Sequence, residues 1–181
     1  MFARTSLFLA PALILSLALA ACGEREDGPA IDLDTATRGV TPEPMLAFED
    51  DGNVAEIEIE GDDAMRFDLD EFTVNAGQMV RLTLRHTGNL PAQAMGHNVV
   101  ILWPDDDVFE FGGDVGEQGG SLANDYVPEP LRDRVVAYTA MIGGGETATV
   151  EFQAPDEPGE YPFLCSFPGH FGQMNGVMIA E

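Results

Sequence analysis

The chain has 181 residues, enough for one domain with additional segments, and 45% of them are hydrophobic, enough for a core. Its 32 acidic residues face only 8 basic ones, all arginine, for a formal net charge of −24. Such a surface repels nucleic acid and anionic lipid; it favours solubility and the steering of basic partners.

Residues 1–21 read as a leader rather than as fold. Arg4 precedes an apolar run from Leu7 to Ala21, too short to span a bilayer comfortably and ending in small residues, the layout of a secretory signal peptide. The segment Leu19-Ala20-Ala21-Cys22 resembles a bacterial lipobox, in which Cys22 becomes the lipidated first residue of the mature chain. Gly23 after it resembles outer-membrane sorting more than inner-membrane retention. The expected location is therefore the bacterial periplasm, with the chain lipid-anchored to a membrane. Residues 22–52 are polar, acidic and dotted with Gly, Pro and Thr, and read as a flexible tether.

From residue 53 onward short alternating runs are separated by turn signals, the pattern of an all-β sandwich. Val54–Glu60 alternates apolar and acidic residues with a period of two, which predicts one buried face. Phe67–Val74 alternates with a phase break near Asp70. Val80–Arg85 follows the turn at Ala76-Gly77, and Asn98–Leu102 is a nearly continuous apolar run, as for a strand buried on both faces. The Gly- and acid-rich stretch Pro104–Arg134 reads as an insertion outside the sandwich, with a short helix predicted around Leu122–Tyr126. Thr147–Phe152, Tyr161–Phe167 and Gly176–Ala180 are the last predicted strands.

The chemistry concentrates in Cys165-Ser-Phe-Pro-Gly-His170-Phe-Gly-Gln-Met174, together with His97. With Cys22 assigned to lipid, Cys165 is the one cysteine of the mature domain and has no disulfide partner, so burial or metal ligation must protect it. One thiolate, two imidazoles and a thioether are the donors of a mononuclear blue-copper site. The Cys-x4-His-x3-Met spacing suits a strand end, a tight turn at Pro168-Gly169 and a return strand. A structural zinc site would want four strong donors, and three are present beside a soft thioether. A Cys-His hydrolase would need a substrate-exposed thiolate, whereas Cys165 follows Leu164 in an apolar strand. Of the two imidazoles, His170 is expected nearer the loop apex and more exposed.

From about Ile57 to Glu181 the chain resembles the azurins of the blue-copper cupredoxin family. The matching pieces are Ile59-Glu-Gly-Asp-Asp63, His86-Thr-Gly-Asn-Leu-Pro91, Met95-Gly-His-Asn98, Arg134-Val-Val-Ala-Tyr138, Ile142-Gly-Gly-Gly-Glu146 and Cys165 to His170 with Met174. The resemblance implies a Greek-key β-sandwich with a short helical flap and one type 1 copper per chain. It places the Gly96 carbonyl as a weak fifth contact opposite Met174, and Asn98 and the Phe167 amide around the Cys165 sulfur. It makes His86 a buried neighbour of the site that does not bind copper, and Leu90, Met95 and Phe167 an apolar docking ring around His170. The implied function is non-enzymatic one-electron transfer between extracytoplasmic partners, such as a cytochrome c-type donor and a reductase or oxidase acceptor. Copper sequestration or delivery is the alternative. The chain departs from the family in lacking the usual disulfide, in carrying Val99 where a tryptophan usually follows His-Asn, and in its anchor and acidic tether.

Overall fold

The computed structural model describes residues 53–181; the leader, Cys22 and the tether lie outside the described residues. Eight strands form two sheets: β1 (Val54–Gly61), β2 (Glu71–Val74), β3 (Met79–His86), β4 (Val100–Leu102), β5 (Val135–Tyr138), β6 (Thr147–Gln153), β7 (Gly159–Leu164) and β8 (Asn175–Ala180). The three-stranded sheet runs β1-β3-β6 and the five-stranded sheet β2-β8-β7-β4-β5. The β1–β3 and β2–β8 pairs are parallel and the others antiparallel. Among the described residues no helix is long and apolar enough to cross a membrane.

Alternation explains the layers. In β3 Val80, Leu82, Leu84 and His86 point inward while the intervening residues face out. Together with Ile59, the three apolar residues Val80, Leu82 and Leu84 meet Phe72, Tyr161, Phe163 and Met178 of the second sheet in the main core. β4 carries no alternation because both its faces are covered. Val99 and Ile101 face the main core, whereas Val100 and Leu102 join a second cluster beneath the insertion.

The insertion does lie outside the sandwich, but its helix is elsewhere than predicted. Helix α2 spans Val108–Glu117, with the Asp107 carboxylate accepting from the Phe109 and Glu110 amides at its N-terminus. It buries Phe111, Gly112 and Val115 on one face. Leu122–Asn124 is only a 3₁₀ turn, and a second 3₁₀ segment, Glu129–Arg134, precedes β5. Three smaller differences concern strands. Only Glu71–Val74 of the Phe67–Val74 run is strand, with Phe67 bridging Gly61. β7 stops at Leu164, so Cys165 stands just past its end rather than within it. β5, a four-residue apolar strand, had no alternating pattern to betray it.

Candidate metal centre

β7 and β8 pair up to Leu164 opposite Asn175, so the ten residues between them close on themselves as a hairpin loop. The Cys165 amide donates to the Met174 carbonyl, and the Gln173 and Met174 amides both donate to the His170 carbonyl. Gly169 turns the chain with φ of 84°, a conformation that costs glycine little. His97 arrives from the other direction. It follows the four-residue helix α1 (Ala92–Met95) and exchanges both backbone hydrogen bonds with Ile142 just before β4.

These segments bring three donors together. The Cys165 Sγ lies 3.9 Å from His97 Nδ1, 3.7 Å from His170 Nδ1 and 3.7 Å from the Gly96 carbonyl oxygen. All three side chains are buried, His170 being 3% exposed and His97 and Cys165 0%. Met174 is fully buried as well. A Cβ placed on Gly61 would stand 2.8 Å from His97 Cδ2 and 3.5 Å from the Met174 methyl, so thioether and imidazole share the space that this glycine leaves.

Protonation states follow from burial and hydrogen bonding. His97 Nε2 donates to the Asp62 carbonyl at 2.9 Å, which leaves Nδ1 bare and aimed at the sulfur. Burial holds His97 below the ordinary imidazole range, and burial with the neighbouring histidines pushes His170 down to about 4. Burial also pushes the Cys165 thiol up to about 12, against the pull of the Asn98 and Phe167 backbone N–H groups. A bound cation reverses that last balance, because it favours the thiolate directly.

Around the donors stand the supporting groups. Asn98, fully buried, accepts the Ser166 amide on Oδ1 at 2.9 Å and donates from Nδ2 to Ser166 Oγ and to the Asp125 carbonyl. His86 donates from Nε2 to the Met95 carbonyl and accepts the Gly88 amide on Nδ1, so both its nitrogens are engaged. Its ring stacks on His97 at 4.2 Å. Phe167 is half-buried and lies 4.6 Å from the His170 ring; Met95 is half-buried and Leu90 is 42% exposed. Sequence reasoning missed Gly61, the Asp62 carbonyl, Ser166 and Asp125. Ser166 could have been suspected as the neighbour of Cys165, but Gly61 acts through a missing side chain, the Asp62 and Asp125 carbonyls leave no mark in the sequence, and the Asp125 carboxylate bonds a residue 16 positions away.

The donor set fits a single soft or borderline cation. Separations of 3.7–3.9 Å between sulfur and each bare nitrogen are what two donors keep when each reaches a shared ion over roughly 2 Å. The pairing of thiolate with thioether suits copper.

The family model described as copper binding proteins, plastocyanin/azurin family, matches residues 54–181. The azurin of Alcaligenes faecalis is 40% identical over 128 residues, which cover 68% of this chain and 95% of that protein. The outer membrane protein H.8 of Neisseria meningitidis serogroup B is 42% identical over 122 residues, 65% of this chain and 63% of that protein. Among solved structures, the reduced auracyanin of Roseiflexus castenholzii superimposes with a TM-score of 0.61 at 33% identity. That match covers 70% of this chain and 97% of auracyanin.

Proposed function

Since the chain belongs to the plastocyanin/azurin family of copper-binding proteins, we propose that it is a lipid-tethered carrier of single electrons whose copper is held by His97, Cys165 and His170. The Met174 thioether and the Gly96 carbonyl are its weaker partners in this reading. The broader statement stands independently of those assignments: the chain is a type 1 copper protein of electron transfer and not an enzyme. The observation that carries it is the convergence of one buried thiol and two buried imidazoles on one point within such a relative's fold.

Copper bound there supplies one redox couple, accepting and releasing a single electron. The chain's own residues do the rest. The Asp62 carbonyl fixes the His97 tautomer, and the Asn98 and Phe167 amides point at the sulfur. The buried loop keeps water away, and its hydrogen bonds hold the donors in place, so little has to move when charge changes. His170, the slightly exposed imidazole beside Phe167, is the proposed port at which a cytochrome c-type donor and a reductase or oxidase acceptor dock.

For the remainder of the chain, residues 1–21 are proposed as a lipoprotein signal peptide, Cys22 as the lipidated residue, 22–52 as the tether and 53–181 as the copper domain. The lipobox-like Leu19–Cys22 supports a periplasmic, membrane-anchored location, with the outer membrane preferred on Gly23. The likeness to a protein named for the outer membrane points the same way.

Adding Cu(II) to the full-length chain carrying Cys22→Ala should give an intense blue colour and a narrow-hyperfine EPR signal, both lost in Cys165→Ser. A colourless product with an ordinary tetragonal Cu(II) signal would overturn the type 1 copper reading. Fatty-acid labelling of the expressed chain, absent in Cys22→Ala, tests the anchor.

A further inference from the structure

We infer that Asp125, in the helical insertion, is a positioning residue that holds the Cys165 end of the metal centre. It deepens the copper reading and rests on it for its purpose, though not for its test.

Asp125 and Tyr126 are consecutive non-glycine residues in the left-handed region, at φ of 54° and 53°. Aspartate tolerates this conformation better than most residues, and tyrosine does not, so something must hold the turn. Two contacts do so. The Asp125 carboxylate accepts the Met141 amide at 2.8 Å, and the Tyr126 ring packs against Phe167 with centroids 5.2 Å apart. In that conformation the Asp125 carbonyl accepts from Asn98 Nδ2 at 2.7 Å.

The bond to Asn98 decides which way its amide faces. A carbonyl can only accept, so it must meet the NH₂ end, and this leaves Oδ1 for the Ser166 amide. The opposite orientation would set donor against donor at Ser166 and acceptor against acceptor at Asp125, inside a fully buried site. Ser166 is bonded to Cys165 in the chain, and the Asn98 backbone N–H points at the same sulfur. On its other side, Asp125 holds Met141, whose sulfur lies 2.8 Å from where a Cβ on Gly96 would stand. The Gly96 carbonyl is 3.7 Å from the Cys165 sulfur. One residue outside the sandwich thus supports both Asn98-Ser166 and Gly96.

The test compares Asp125→Gly with Asp125→Asn in the metal-free full-length chain carrying Cys22→Ala. Both variants permit the left-handed backbone, but only asparagine keeps an acceptor for Met141. Two readouts are used: modification of the Cys165 thiol by an aromatic disulfide reagent, and hydrogen exchange at individual amides. Asp125→Gly should raise thiol modification and exchange at Ser166 and Phe167 about tenfold, the scale on which a hydrogen bond of ordinary net worth acts. Asp125→Asn should stay within about twofold of the parent. Unchanged rates in Asp125→Gly overturn the inference. So does an equal rise in both variants, and so does a rise spread evenly over core amides such as Leu82 and Leu84, which would mark general destabilisation. None of these readouts uses copper, so the inference and the copper reading fail separately.

Discussion

At Cys165 two influences oppose each other. Burial raises the thiol to about 12, and the neighbouring N–H groups of Asn98 and Phe167 favour the thiolate without overcoming that cost. The metal-free site at neutral pH therefore holds a protonated thiol beside two neutral imidazoles, one of them pushed down to about 4. Uptake of Cu(I) by the unbuffered chain at pH 7 should release about one proton per ion, because only the thiol has one to give up. Release of two, measured by pH-stat titration, would show that an imidazole starts out protonated. The same histidines contribute to the pH dependence of the metal-free fold. Unfolded, they take up protons as pH falls through the ordinary imidazole value of 6.5; folded, His170 resists until about 4. At these histidines the unfolded state thus binds more protons throughout that window, so their contribution to stability falls as pH drops across it. His97, also lowered, acts in the same direction. Urea unfolding at a series of pH values from 7 to 4 checks the sign.

Helix α2 shows how an element can be built around an absence. A Cβ on Gly112 would lie 2.4 Å from the Phe171 ring, the residue after His170 in the donor loop. Gly112→Val should therefore displace Phe171 and destabilise the fold by about 1–3 kcal/mol through overpacking. Gly113→Ala should be tolerated, since a Cβ there meets nothing within 4 Å. Urea midpoints of the two variants make the comparison. These glycines also explain why α2 escaped the sequence reading. Gly112, Gly113 and Gly116 depress helix propensity in the window that carries Val108, Phe111 and Val115, and packing against Val100, Leu102 and Leu164 restores what propensity withholds. By contrast β1 and β3 were legible, since each keeps a period-two pattern with one covered face. The cluster of His97, Cys165 and His170 was legible too, because thiol and imidazole are rare in this chain, with two cysteines and three histidines, and one short loop holds two of the three.

Across the whole molecule charge and topology act together. Four of the arginines in the described residues, Arg66, Arg81, Arg85 and Arg134, already sit beside carboxylates, Arg81 bridging Glu56 and Glu151 across the three-stranded sheet. Among the described residues no aspartate or glutamate is buried, and those without an arginine partner set the long-range field. Electron exchange of the copper-loaded chain with a basic cytochrome should slow by about tenfold between 10 and 150 mM salt, as screening shortens the reach of that field. Stopped-flow rates that do not respond to salt would show that steering plays no part. Topology explains why the site exists at one end of the sandwich. The parallel register of β1 and β3 sets Gly61 opposite His86, and the turn after β1 offers the Asp62 carbonyl to His97. The antiparallel β7–β8 hairpin delivers Cys165 and His170 to the same place, with the Met174 methyl beside the His97 ring.

The amino-acid order by itself determined the thiol and imidazole cluster of His97, Cys165 and His170 and the alternation of the sandwich strands. These are properties of residue type and of a period shorter than one strand. Only the tertiary structure decided which imidazole nitrogens face the sulfur, which protons burial leaves on these groups, and that Asp125 in the insertion reaches Asn98. Those depend on desolvation and on hydrogen bonds to backbone carbonyls 27 to 35 positions away in the chain. A carbonyl is the same at every residue, so it leaves no mark in a sequence until the fold aims it.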